Sequence, residues 1–469
     1  MNPRRLFIAS CISLIASAFS FVIRQDVLPA WGHSFKLSAT QLGFIGGLAF
    51  WGMACSMAVG SFIVDFFGMK KMLGLAFLCH LVGTVMTMAT PYLSGMGLAP
   101  FGLLCVATFL VGSANGFVEI GINPLAATIY PTKKTHMLNV LHAWWPGGLM
   151  IGGVLSVVIT KALGLGLGGA GTTTAATIFG WQVKMVLILI PTIVYGVLFF
   201  TETFPVTERV ASGVSTSEML GQALRPMFLL WAFCMLLTAS TELAPQGMQS
   251  LVLEKTAGMN GTFILIYTSA MMFTLRHFAG PIAHRLSPVG MLVGSSVLSA
   301  IGLYALSFAY NFPTAIAAAT IYGLGIVYFW PTMLGVTAER FPRGGAFLLG
   351  LMGCVGNLAI GVVQPFMGGI NDRITLENIP ADVRDRVVVK GVIDPGPVKA
   401  LPESQQVAVL EAQKEGAKWS FRYVSALPVV LVVIFGGIAL YDRSRGGYRP
   451  EVLKSEDNEL SPAELASDY

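Results

Sequence analysis

Apolar stretches of about 20 residues recur along this chain of 469 residues, and they restrict its possible folds more than any other feature. A helix of about 20 apolar residues spans a hydrocarbon core of roughly 30 Å. The stretches are too long to be the alternating strands of about ten residues that build a membrane barrel. Only 11% of the residues are charged, whereas soluble domains contain roughly 25%. The sequence therefore predicts an all-α membrane protein.

We predict twelve transmembrane helices from the positions of these stretches. They cover residues 6–30, 39–64, 72–90, 101–128, 137–163, 181–200, 227–252, 263–283, 291–309, 313–338, 345–370 and 421–441.

A polar segment rich in Ser, Thr and Gly divides the spans into six and six. Transporters are commonly built from two related halves with a binding site between them. We therefore predict two pseudo-symmetric six-helix bundles joined by a cytoplasmic linker. The predicted parts are bundle 1–203, linker 204–224, bundle 225–442 with an extracytoplasmic insertion at 372–420, and a cytoplasmic tail at 443–469. Within the insertion, a short helix is expected from Glu403 to Glu415.

Lysine and arginine residues are concentrated in alternate loops, which predicts the orientation. Most lie on the side of both termini, so we expect both termini in the cytoplasm and the protein in the plasma (inner) membrane. This asymmetry accounts for the net charge of +5, and we expect no nucleic-acid partner. The six cysteines lie inside apolar spans without metal-type spacing, so neither a metal site nor a cofactor is predicted.

Span four carries a polar stripe of Asn115, Glu119 and Asn123 at intervals of four residues, followed by Pro124. Residues at this spacing share one face of a helix. A charged side chain near the bilayer centre costs on the order of 3 kcal/mol or more, so such residues usually have a function. A hydrogen bond to another helix is the structural alternative for Glu119. We predict that this face contributes to a solute pathway.

Span one contains Arg24, Gln25 and Asp26. Side chains two residues apart on a helix differ in direction by about 200 degrees around the helix axis, so Arg24 and Asp26 point in different directions. We expect Asp26 to face the pathway, because the long stem of Arg24 allows its charge to reach the headgroups.

Further polar and aromatic residues in the spans are predicted to bind solute. The histidine is either a hydrogen-bonding residue or a proton relay, and the tryptophan of span five either stacks on a sugar ring or packs. These residues are Asn139, His142 and Trp145 in span five, and Glu242, Gln246, Trp330 and Asn357 in the second half.

The loops after spans two and eight contain a weak repeat. The first has Gly60, Asp65, Gly68 and Lys70, and the second has Gly280-x-x-x-His284-Arg285. The first copy resembles the loop signature of the major facilitator superfamily, which locks the two bundles on the cytoplasmic side. Charge bias and helix capping are the simpler explanation for the lysines alone. The resemblance implies a gating role for Asp65, Gly68, Lys70 and Arg285.

Two further motifs resemble the fucose/galactose/glucose:proton symporter family of that superfamily. They are Gln25-Asp26-Val27-Leu28-Pro29 in span one and Glu119-Ile120-Gly121-Ile122-Asn123-Pro124 in span four. The resemblance implies that Asp26 and Glu119 exchange protons and couple them to sugar binding.

We therefore expect a monomeric secondary transporter, not an enzyme, that moves a monosaccharide with a proton by alternating access. Its partners would be this small solute and membrane lipid, and sodium remains open as the coupling ion. Alternative functions are transport of an organic anion bound by Arg24, drug:proton antiport, or solute sensing without transport.

Overall fold

Long helices make up most of the structure, a computed structural model that describes residues 2–37, 39–165, 173–257, 262–389, 392–393, 397–398, 400–451 and 453. Six helices form the amino-terminal half: α1 (Pro3–Phe35), α2 (Ala39–Phe67), α3 (Met69–Gly95), α4 (Pro100–Ile129), α5 (Lys134–Ala162) and α6 (Thr174–Phe200). Asn2 caps α1 by accepting a hydrogen bond from the backbone N–H of Arg5, and Pro3 occupies the first turn, where no N–H is needed.

Two short helices, α7 (Glu208–Ala211) and α8 (Thr216–Ala223), lead to the carboxy-terminal half. That half contains α9 (Pro226–Ala257), α10 (Thr262–Arg276), α11 (Ala279–Leu286), α12 (Pro288–Leu306), α13 (Phe312–Ile326), α14 (Phe329–Arg340), α15 (Gly345–Asn378), α16 (Ala381–Val387), α17 (Glu403–Val424) and α18 (Ala426–Ser444). Among the described residues, eleven helical stretches are long and apolar enough to cross a membrane, and the shorter apolar helix Ile264–Arg276 supplies a twelfth. The prediction of twelve spans in an all-α membrane fold is confirmed.

Two of the predicted spans are broken in the middle. The span at 263–283 divides into α10 and α11, and the span at 313–338 divides into α13 and α14. Pro331 explains the second break, because it has no N–H to donate to the carbonyl of Val327 four residues earlier. That carbonyl is therefore free to accept a hydrogen bond from elsewhere.

The amino-terminal helices pack closely where small residues face each other. A Cβ atom added to Gly112 of α4 would lie 2.2 Å from the carbonyl oxygen of Ala49 in α2. Only glycine permits this approach, as is usual for helices that associate without a hydrophobic driving force.

The two halves pack together at one end, which we call the termini end. It carries the first and the last described parts of the chain: the backbone N–H of Asn2 bonds to Glu202, and the backbone N–H of Glu451 bonds to the carbonyl of Glu339. The larger hydrophobic core includes residues of both halves, whereas a second core lies entirely in the amino-terminal half. This second core contains Phe19, Ile23, Val27, Ala30, Trp31, Ile45, Leu104, Trp181, Met185 and Ile188.

The insertion is largely helical. Helix α15 continues into it as far as Asn378, and a small antiparallel pair of strands, β1 (Val388–Val389) and β2 (Val392–Ile393), follows α16. The helix predicted from Glu403 begins there but runs to Val424, beyond the expected end at Glu415. A small core of its own, including Ile379, Val383, Val387, Leu401 and Val409, holds the insertion together. We call this the insertion end.

Candidate solute-binding cavity and gate

A cavity of about 1250 Å³, including its space open to solvent, lies between the two halves. Helices α1, α2, α4 and α5 form one wall, and α9, α10, α14 and α15 form the other. Apolar side chains such as Phe21, Phe50, Met53, Leu149 and Ile360 contribute to both walls. Of the predicted site residues, those that line it are Arg24, Asn115, Glu119, His142, Trp145, Glu242, Gln246, Trp330 and Asn357.

Glu119 lies on the amino-terminal wall in a short hydrogen-bond chain. Asn123, one turn further along α4, donates its Nδ2 to Glu119 Oε2 at 2.6 Å. His142 of α5 approaches the other side of the amide, with Nε2 2.9 Å from Asn123 Oδ1 and 3.7 Å from Glu119 Oε2. All three side chains are buried. The i, i+4 spacing of Glu119 and Asn123 thus places an ionisable group, an amide and an imidazole in one chain beside the cavity.

Arg276 connects the two walls. Its NH2 donates to Glu242 Oε1 at 2.9 Å, and its Nε donates at 2.7 Å to the carbonyl of Val327, which the helix break leaves free. Its NH1 donates to the backbone carbonyl of His142 at 2.8 Å, across the boundary between the halves. The second oxygen of Glu242 accepts from the backbone N–H of Trp330 at 3.2 Å. Both groups are buried, and each nitrogen of the guanidinium and each oxygen of the carboxylate has a hydrogen-bond partner.

Arg24 and Asp26 lie the opposite way round from the prediction. Arg24 and the exposed Gln25 line the cavity, whereas Asp26 does not line it and lies against α5 and α6 of the amino-terminal half. There it pairs with Lys184 of α6 at 2.5 Å and accepts a hydrogen bond from Ser156 at 2.7 Å. Lys184 is completely buried, so it needs this counter-charge. The expectation that Asp26 faces the pathway is therefore corrected.

Asn123 and Asn139 support the wall and are not among the residues that line the cavity. Asn139 donates to the carbonyl of Thr135 at 2.9 Å and to Thr332 Oγ1 of α14 at 3.2 Å. The second bond joins the two halves below the cavity, on its termini side.

Residues 6–364 match the sequence model of the Major Facilitator Superfamily. The chain belongs to this superfamily. It is therefore a multi-pass membrane transporter and not an enzyme, as predicted.

Solved transporters of this superfamily share the fold. The E. coli fucose:proton symporter FucP has 14% identity and a TM-score of 0.66, over 92% of this chain and 98% of FucP. The E. coli proton:xylose symporter XylE has 13% identity and a TM-score of 0.69, over 93% and 95% of the two chains. The human organic anion transporter MFSD10 has 11% identity and a TM-score of 0.60, over 93% and 100%. No curated protein matches the chain in sequence.

The superfamily signature loop between α2 and α3 is held by the linker. The side chain of Asp65 is almost completely buried and accepts hydrogen bonds from Arg209 Nε and Thr207 Oγ1, both at 2.7 Å. Arg209 in turn packs against the start of α15, where a Cβ at Gly345 would lie 2.9 Å from its own Cβ. Arg209 of the linker thus connects the Asp65 carboxylate to the start of α15.

The other three residues that were predicted to form the gate lie outside the contact between Asp65 and Arg209. Gly68 ends the loop with a φ of +84°, in a region that favours glycine. Lys70 donates to the carbonyls of Phe200 and Glu202 at the end of α6, at 3.0 and 2.8 Å. Arg285 is exposed at the end of α11.

A second set of contacts closes the termini end directly. Lys134 Nζ bonds to Glu208 at 2.6 Å and to the carbonyl of Ala338 at 3.3 Å. The backbone N–H of Thr135 donates to Glu339 Oε1 at 3.0 Å, across the two halves. The cavity is therefore sealed from the termini end in this conformation.

Among the ionisable residues inside the spans, sequence reasoning missed Lys184 and His80. His80 bridges Asn115 Oδ1 at 2.8 Å and the hydroxyl of Tyr195 at 2.9 Å, and so fixes the amide that lines the cavity. Both could have been found, because an ionisable group within an apolar span is itself a signal of function.

Proposed function

We propose that this transporter carries a monosaccharide-class solute together with a proton, and that Glu119 carries the proton. The supporting observation is the difference between the two carboxyl groups of the cavity. Both oxygens of Glu242 accept hydrogen bonds, one of them from the guanidinium of Arg276. Glu119 has one amide donor and a histidine at 3.7 Å. It is thus the carboxyl group better suited to gain and lose a proton during transport.

The chemistry of the cavity suits a hydroxylated solute. Asn115, Gln246 and Asn357 provide amide groups, and Trp145 and Trp330 provide indole faces on opposite walls. Flat apolar surfaces combined with a few polar groups are typical of sites for small molecules of this kind. The fold shared with FucP and XylE, which are proton symporters for fucose and xylose, agrees with the proposal.

We assign the termini end to the cytoplasm of a cell with this protein in its plasma membrane, because lysine and arginine residues are enriched there. On this assignment the insertion is extracytoplasmic, and the contacts of Lys134 and Thr135 close the cytoplasmic side of the cavity. Reorientation would require the contacts of Lys134 and Glu339 to separate while the insertion end closes. The account requires only a monomer.

Uptake by purified protein in liposomes tests the proposal. For 1:1 coupling, a gradient of one pH unit drives about tenfold accumulation of a labelled sugar. The Glu119→Gln variant should lose this accumulation but keep counterflow, because exchange of solute needs no net proton movement. Glu377→Gln, an exposed position in the insertion, is the matched control. Accumulation by Glu119→Gln equal to that of the wild type would reject the assignment.

A further inference from the structure

Arg24 is a buried cation that has no counter-ion among the residues that the structure describes. Its side chain is 5% exposed and lines the central cavity, with its guanidinium carbon 5.6 Å from the ring centre of Phe21. Among the described residues, neither its Nε nor its NH1 has a hydrogen-bond partner. Buried charges in proteins are normally paired. An anion supplied from outside the protein would satisfy this group.

The space behind Arg24 supplies no such anion. A small cavity there, inside the amino-terminal half, is lined mainly by hydroxyl and apolar groups, including Thr84, Thr87, Thr108 and Trp31. No carboxylate is among its lining residues in the described part of the chain. Thr84 Oγ1 and Trp31 Nε1 likewise have no hydrogen-bond partner within the described ranges, so the surroundings of Arg24 are rich in donors. The nearest carboxylate in sequence, Asp26, already pairs with Lys184.

The balance of charges on the cavity wall independently favours an anionic solute. Of the residues that the structure describes, the charged side chains that line the cavity are Arg24, Arg276, Glu119 and Glu242. With His142 neutral and both carboxyl groups ionised, these charges cancel. Protonation of Glu119 alone leaves one excess positive charge in a space that must lose water when it closes. A monoanion bound at Arg24 restores neutrality.

We propose that the transported solute is a hydroxylated monocarboxylate, of the sugar-acid class, whose carboxylate binds Arg24 and which crosses with one proton without net charge movement. The empty cavity and the cavity loaded with proton and anion are both neutral, whereas the two half-loaded forms are charged. Enclosing an uncompensated charge is costly, so the half-loaded forms reorient slowly and the two cargoes move together. This inference rests on the proposed function and specifies its substrate.

The test uses the full-length protein in liposomes with labelled galacturonate, gluconate and galactose. Wild-type protein should accumulate a sugar acid under a pH gradient, and an imposed potassium diffusion potential should not change the rate. The Arg24→Gln variant should reduce uptake of the sugar acid by about tenfold or more, as expected for the loss of hydrogen bonds to a charged group. The Arg24→Lys variant keeps the charge but not the planar fork, so it should retain an intermediate rate. Arg373→Gln, exposed in the insertion, is the control.

Different outcomes would contradict the sugar-acid substrate and the proposed proton symport. Accumulation of galactose that a negative-inside potential accelerates would overturn the sugar-acid assignment and leave proton symport standing. Absence of pH-driven accumulation for every solute would reject proton symport itself.

Chloride is a second possible source of the anion. Thermal stabilisation by chloride that Arg24→Gln abolishes, without stabilisation by sugar acids, would show a resident halide and overturn the inference. If Arg24→Gln does not fold, the potential dependence of the wild type and the rate of Arg24→Lys decide the matter.

Discussion

Replacing Arg276 with glutamine should destabilise the protein more than any exposed substitution. The guanidinium donates to Glu242, to the carbonyl of Val327 and to the carbonyl of His142, and all of these contacts are buried. Glutamine cannot supply the positive charge or the three donors together. The variant would therefore leave the Glu242 carboxylate in the interior with one backbone N–H as its remaining partner.

The expected loss in the free energy of unfolding is about 3–5 kcal/mol, the usual cost of removing one partner from a buried ion pair. Removing both charges, with Arg276→Gln and Glu242→Gln together, should recover part of this loss, because no ion is then left uncompensated. A coupling energy of about 0.5–3 kcal/mol between the two positions is expected for groups in direct contact.

Equilibrium unfolding in mixed micelles with an increasing fraction of denaturing detergent, followed by tryptophan fluorescence, measures these differences. Arg373→Gln, in the exposed pair with Glu377, should unfold like the wild type. The reasoning is refuted if Arg276→Gln is as stable as the wild type, or if the double variant is less stable than Arg276→Gln alone.

Three further substitutions probe the amino-terminal half. Asp26→Asn should lower the unfolding temperature more than Lys184→Met. The first variant leaves a completely buried ammonium group unpaired, whereas the second leaves a carboxylate that is one-third exposed. Equal effects of the two variants would contradict the pairing. Gly68→Ala should lower the free energy of unfolding by about 1–3 kcal/mol and slow transport, because a φ of +84° is strained for alanine. A variant with the stability and the transport rate of the wild type would show that the loop relaxes without cost.

The twelve spans could be predicted from length and polarity, because a hydrocarbon core imposes both on any helix that crosses it. The face shared by Glu119 and Asn123 followed from helical periodicity. The break before α14 also had a signal in the sequence, since Pro331 removes one helical hydrogen bond. We did not predict it, because many membrane helices tolerate proline without breaking.

The directions of Arg24 and Asp26 could not be predicted from span one alone. Helical geometry required the two side chains to diverge, but the choice between them depended on Lys184, which is 158 residues from Asp26 in the chain. The same holds for Asp65, whose partner Arg209 lies 144 residues away in the linker. The local sequence pattern predicts which residues share one face of a helix, whereas the tertiary partners decide which face lies against the cavity.

The movement of protons themselves tests the central claim most directly. Purified protein in liposomes that contain a pH-sensitive dye, with no imposed gradient, is mixed with solute, and the pH inside and outside is followed. We predict that solute entry acidifies the interior of wild-type liposomes, with one proton per solute molecule, and that Glu119→Gln liposomes exchange solute without any pH change. Net solute entry into wild-type liposomes without a change in pH would contradict the account.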